Sequence, residues 1–112
     1  MSGDCIFCKI AAGDIPCRKV YEDSDLIAFH DINPVANVHF MIVPKEHVVS
    51  LAEAHARHEM LLGRILLLAP MLAKEQGLED GFRTVINTGR GGGQEVMHLH
   101  VHVMGGGRLR PM

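Results

Sequence analysis

Apolar and polar positions alternate most strictly between His98 and Met104, where the chain reads His-Leu-His-Val-His-Val-Met. A period of two is that of a strand, so Leu99, Val101 and Val103 are predicted to face a core and the intervening positions the opposite side. This strand is predicted over Leu99 to Met104, and a partner over Phe82 to Thr88, the two joined by Gly89-Arg90-Gly91-Gly92-Gly93-Gln94. Earlier in the chain, Val20 to Glu22 and Leu26 to Asp31 flank the turn formers Asp23, Ser24 and Asp25 and read as a hairpin. After the Asn33-Pro34 turn, His39 to Val43 favours a strand that Pro44 closes. Cys5 to Ala12 is mildly amphipathic and ends at Gly13 and Pro16, which suits one or two helical turns.

The long helix is predicted from about Ala54 to Gln76, with Gly77 as its terminating glycine and Pro70 bending it. Leu61, Ile65, Leu68 and Leu72 form one apolar stripe, but Met60, Leu62, Leu66, Leu67 and Met71 widen it beyond a single face. Such a helix has two surfaces to bury. The sheet takes one, and a second copy of the chain is expected on the other, with a folded-over loop as the alternative. Two groups of strands around one long helix, with short turns inside each group, predict the α+β class: an antiparallel sheet of about five strands, one long helix and a short N-terminal helix.

At 112 residues the chain is expected to be a single domain, residues 1–112, and its 47% hydrophobic and 21% charged residues are those of an ordinary globular protein. The net charge of −2 supplies no field to gather nucleic acid or an anionic membrane, so neither is an expected partner. No cationic start followed by an apolar stretch reads as a signal peptide, and the apolar run from Ile65 to Ala73 contains Pro70 and is too short to span a bilayer. A cytoplasmic location is expected. Three cysteines are an odd count, and Cys5-Ile6-Phe7-Cys8 in a reducing compartment suggests a metal before a disulfide. Cys17 reads as a partly buried small residue.

The chemistry concentrates in the alternating segment. His98, His100 and His102 fall on one face at roughly 6.5 to 7 Å intervals, a row long enough to meet different atoms of one small substrate. Packing alone explains three such rings poorly, because each carries nitrogens that need partners when buried. Two readings compete: a metal site made from all three, or catalysis on an anion with one ring as nucleophile or base. The preceding glycine-rich loop can bring backbone amides close to a phosphate. It leads into a strand and not a helix, which argues against a dinucleotide-binding turn or a P-loop.

The run Gly93-Gln94-Glu95-Val96-Met97-His98-Leu99-His100-Val101-His102-Val103-Met104 closely resembles the histidine triad signature, three histidines alternating with apolar residues after a Gly-Gln pair. Cys5-Ile6-Phe7-Cys8-Lys9-Ile10, Ala28-Phe29-His30-Asp31-Ile32-Asn33-Pro34 and His39-Phe40-Met41-Ile42-Val43-Pro44-Lys45-Glu46-His47 stand in that family's order, so the resemblance covers essentially the whole chain. It is nearest to the small nucleotide-binding, phosphoramidate-cleaving branch.

The resemblance implies a nucleotide hydrolase acting on purine nucleoside phosphoramidates or related esters and anhydrides through a covalent nucleotidyl-histidine. His100 would be the nucleophile and His102 would steady the phosphate oxygens. Gly93, Gln94 and Asn87 match positions at the phosphate, Asp31 the acceptor of both ribose hydroxyls, and Phe7, Ile10, Phe29, Ile32 and Met41 the apolar cleft for the base. His39 matches a histidine standing behind the row, with a structural role as its alternative. Glu95 departs from the Ser or Thr of several members; it would orient or protonate an amine leaving group, or else point to solvent. Zinc-bearing members imply a structural zinc on Cys5, Cys8, His47 and His98, a closed S2N2 shell. His30, His55 and His58 read as surface or helix-face residues. Dinucleoside polyphosphate hydrolysis is the alternative activity, and a nucleotide-binding interaction module with incidental catalysis the alternative class.

Overall fold

The computed structural model describes residues 4–112. Five strands form one antiparallel sheet in the order β1-β2-β3-β5-β4: β1 is Lys19–Glu22, β2 Leu26–His30, β3 Val38–Pro44, β4 Arg83–Val85 and β5 Val101–Gly105. A short helix, α1, spans Ile6–Ala11 and a long one, α2, spans Glu59–Glu75. The α+β architecture expected from the pattern is the one found.

Alternation within each central strand decides which layer each side chain joins. Leu26 and Ala28 of β2, Phe40 and Ile42 of β3, and Val101 and Val103 of β5 are buried against Ile65, Ala69, Leu72 and Ala73 of α2. Their neighbours Ile27, Phe29, Met41 and Val43 point the other way and close around Phe7 and Ile10 of α1. Both faces of β2 and β3 are therefore covered, which is why these strands read as nearly unbroken apolar runs. Full burial of an aliphatic or aromatic side chain of this size contributes about 1.5–3 kcal/mol, so the two clusters dominate the stability.

Several boundaries differ from the expectation. The long helix begins at Glu59 and not Ala54, because Leu51–Glu53 and Ala56–His58 form separate single 3-10 turns. The His55 amide is taken by His58 Nδ1 at 2.9 Å, which ties this stretch into its own turn. Pro70 lies inside α2 on its exposed side, and the helix runs through it. Strand β4 is only three residues, shorter than Phe82 to Thr88, and β5 starts at Val101 and not Leu99. Residues 98–100 leave the ladder because the Leu99 amide bonds to Val48 O at 2.7 Å and the His98 amide to Val96 O at 2.8 Å. The rings still share one side: those of His98 and His100 both lie edge-on to Phe7.

Candidate active site and metal centre

The face of the sheet opposite α2 carries a ranked row of side chains. Phe29 pairs with Met41, Met41 with His102, and His102 with Val85 across β2, β3, β5 and β4. Two strand spacings, roughly 10 Å, separate the apolar end at Phe29 from the imidazole of His102. Over this row opens a cleft of about 950 Å³ lined by Phe7, Ile10, Phe29, Ile32 and Met41 at one end and by His39, His100, His102, Asn87, Gly93 and Glu95 at the other, with Asp31 at its edge. Every expected nucleotide-site residue except Gln94 lines it. Phe7, Ile10, Phe29 and Met41 are buried, while Ile32 is 92% exposed on the rim.

Hydrogen bonds settle where the protons of the row reside. His98 Nε2 lies 2.7 Å from Pro44 O and His100 Nδ1 lies 2.8 Å from His98 O. A carbonyl only accepts, so both of these nitrogens carry hydrogen. His98 Nδ1 is thereby left as a lone pair, and in neutral His100 so is Nε2. The ring of His100 stands against Phe7, with centroids 5.1 Å apart, and against His102 at 4.9 Å. Burial, aided by the neighbouring His100 and His39 and opposed by Asp31, pushes His102 down to about 4, so it is neutral at neutral pH. Asp31 is held by an Asx turn, its Oδ1 accepting the Asn33 amide at 2.8 Å, while Oδ2 faces His39 Nε2 at 3.4 Å.

Gln94 is placed differently from the expectation. Its Oε1 accepts the Gly89 amide at 2.8 Å, and its Nε2 donates to Val49 O at 2.7 Å and Val96 O at 3.0 Å. With all of these groups engaged and the residue buried, the side chain staples the base of the glycine loop and does not enter the cleft. Gly93 above it has φ of +83°, a left-handed conformation that a side chain would strain.

The second cluster joins Cys5, at the N-cap of α1, Cys8 in its first turn, His47 beyond β3 and His98 before β5. Cys5 Sγ is 3.2 Å and Cys8 Sγ 3.5 Å from His98 Nδ1; His47 Nδ1 is 3.3 Å from Cys8 Sγ and 3.2 Å from His98 Nδ1. A tetrahedral zinc with ordinary Zn–S and Zn–N lengths sets its nitrogen–nitrogen and nitrogen–sulfur ligand pairs roughly 3.3 to 3.6 Å apart, so this donor set fits that ion. The bond from His98 Nε2 to Pro44 O supplies the outer partner that orients a ligating imidazole. Burial, the largest cause, holds His98 below its ordinary pKa, which keeps it neutral as a ligand must be.

Three readings of lesser residues change or hold. His58 is buried, 3% exposed, with its Nε2 3.0 Å from Glu46 Oε2, so it is not a surface residue. His30 is half-buried and lines the cleft. Cys17 is partly buried against the α1-side cluster, as expected. Sequence reasoning missed Ile15, Pro16, Arg18, Val35 and Val96 as cleft residues. They sit outside regular elements or at their edges, where no periodicity marks a side chain's direction.

Comparison with known proteins agrees with this geometry. The HIT domain model matches residues 12–109. Protein HitA of Neisseria gonorrhoeae is 57% identical over 91% of this chain and 95% of its own length. The 14 kDa zinc-binding protein of Zea mays is 48% identical over 93% and 83%, and the purine nucleoside phosphoramidase of Escherichia coli K12 is 42% identical over 100% and 95%. Among solved structures, a histidine triad protein from Clostridium difficile superposes with a TM-score of 0.94 at 46% identity, covering 98% of this chain and 96% of that one. The chain belongs to the HIT domain family.

Proposed function

We propose that this protein is a hydrolase that cleaves purine nucleoside phosphoramidates, or related nucleoside monophosphate esters and anhydrides, through a nucleotidyl-His100 intermediate. The observation that carries the reading is the His98 O to His100 Nδ1–H bond, which fixes the lone pair of a neutral His100 on Nε2 in the ring that lines the cleft. That nitrogen attacks the α-phosphorus, the bond from phosphorus to the leaving group breaks, and a departing amine takes up a proton from solvent, which the attacking water of the next step gives back. Water then attacks phosphorus, releases the nucleoside monophosphate and returns His100. His102 donates to a phosphate oxygen as charge builds there, while the Gly93 and Gln94 amides are engaged by Arg90 O and Gly89 O and shape the loop beside it. Gln94 serves by holding that loop in shape. Glu95, exposed on the cleft wall, meets the leaving group. The relative named a purine nucleoside phosphoramidase supports the substrate class. A turnover screen over adenosine and guanosine phosphoramidates and dinucleoside polyphosphates tests it: phosphoramidates are expected to turn over fastest, and a clear preference for dinucleoside polyphosphates would move the activity to that class.

The base would occupy the apolar end around Phe7, Ile10, Phe29, Ile32 and Met41, with the ribose at Asp31 and Asn87 near the phosphate. Asp31→Ala is expected to weaken ribonucleotides far more than 2′-deoxy analogues, since a charge-assisted hydrogen bond contributes roughly 1.5 to 3 kcal/mol. Calorimetry with both nucleotide types checks this, and equal losses would remove Asp31 from the ribose site.

Cys5, Cys8, His47 and His98 would hold one structural zinc, which pins α1 to the segment that bears His100 and leads into β5. The donor geometry and the zinc-binding maize relative support this. Among the described residues, no helix is long and apolar enough to cross a membrane. Thiolate ligands are consistent with the reducing cytoplasm. The exposed stripe of α2, with Met60 81% and Leu67 79% exposed, is proposed to bury itself in a homodimer. Leu67→Glu is expected to convert a species of twice the chain mass into monomer in sedimentation velocity. A native protein that already sediments as monomer would end the dimer assignment.

A further inference from the structure

The hydrogen bonds around His39 determine the protons of two rings. A backbone N–H only donates, so the Val35 amide, 3.1 Å from His39 Nδ1, leaves that nitrogen without hydrogen. Burial, opposed by Asp31, holds His39 below its ordinary pKa, so the ring is neutral and its single hydrogen is on Nε2. The nearest acceptor of that hydrogen is His102 Nδ1 at 2.9 Å; Asp31 Oδ2 stands farther off at 3.4 Å. His102 Nδ1 therefore accepts. The one hydrogen of neutral His102 is then on Nε2.

We propose that the Val35 backbone amide is a positioning group for the reaction: through His39 it holds His102 in the tautomer that presents Nε2–H, and not a lone pair, to the phosphate. The role in turnover rests on the reading that His102 meets a phosphate oxygen. Without this amide, His39 is free to carry its hydrogen on Nδ1. His102 would then donate from Nδ1 to His39, and its Nε2 lone pair would face the oxyanion, replacing attraction by repulsion. The amide belongs to the turn that also carries Asp31 and its Asx bond to Asn33, so one short loop supplies the ribose carboxylate and sets the tautomer of the phosphate donor. The Val35 side chain is 71% exposed, which leaves the main chain as this residue's contribution to the relay.

Long-range proton–nitrogen correlation spectra of histidine-labelled, zinc-loaded protein read the tautomer directly and need no substrate. The native protein and Val35→Ala, which keeps the amide, are expected to show His102 with hydrogen on Nε2. Val35→Pro removes the amide hydrogen and is expected to populate the Nδ1–H form. It should also lower kcat about tenfold with KM within about twofold, a fraction of the loss when an oxyanion donor is deleted outright. Native His102 found with hydrogen on Nδ1 overturns the proposal even if Val35→Pro fails to fold, and so does a folded Val35→Pro that keeps Nε2–H. A protein with the expected tautomers that hydrolyses no nucleotide substrate would instead count against the proposed activity, so the two failures are distinguishable.

Discussion

His100→Ala is expected to abolish turnover, by at least about 10³-fold or roughly 4 kcal/mol of barrier, while nucleoside monophosphate affinity stays within a few-fold of the parent. The substitution deletes the proposed attacking nitrogen but leaves the other cleft residues, Phe7, Phe29 and Met41 proposed for the base, Asp31 for the ribose and His102 for the phosphate. The Phe7 ring loses one edge-on neighbour but keeps Phe29 and His98, so α1 remains docked. Steady-state rates and calorimetry separate the two effects. In the native protein, mass spectrometry of rapidly quenched reactions should find one nucleotidyl group on the peptide containing His100. Turnover of His100→Ala within about tenfold of the parent, some 1.4 kcal/mol, would show that the nucleophile is elsewhere.

The second large effect concerns the sulfur and imidazole cluster. Cys8→Ser should release one zinc per chain and lower the melting temperature by several degrees, because binding energy at a structural site is folding energy. In a chain of this size each kcal/mol lost shifts melting by about 4 °C. Turnover well below the new melting point should persist, since no group of the cluster lines the cleft and His98 reaches His100 through its backbone carbonyl. Elemental analysis with calorimetric melting checks the first part: metal-free protein with unchanged melting would withdraw the zinc assignment. A folded, metal-free variant without turnover would make the metal more than structural.

Much of this was legible in the sequence for definite reasons. Alternation from His98 onward placed three rings on one side because side-chain direction in an extended chain depends only on parity, and this held even where the ladder stops short of His98. The helix core of Ile65 and Leu72 was visible for the same kind of reason. Its start was not: the turns at Leu51–Glu53 and Ala56–His58 depend on local bonds such as the His55 amide to His58 Nδ1, which leave no periodic trace. The Gln94 staple and the Val35 amide were hidden because main-chain donors are the same at every residue, and only folding decides which of them meet a side chain. The burial of His58, whose Nε2 meets Glu46 across a loop, likewise leaves no periodic trace.

The order of the strands also bears on how the molecule is made. β1, β2 and β3 follow one another through short connections, whereas the pairing of Val38–Pro44 with Val101–Gly105 spans the whole of α2 and β4. Closing a short hairpin costs little chain entropy and takes microseconds, while a closure across some sixty residues waits on a larger entropic loss. The strand that follows His100 and carries His102 is thus attached by the longest-range pairing in the sheet. A chain still emerging from the ribosome can form its first hairpins, yet the wall of the cleft at His100 and His102 joins them only once residues 100–105 are made.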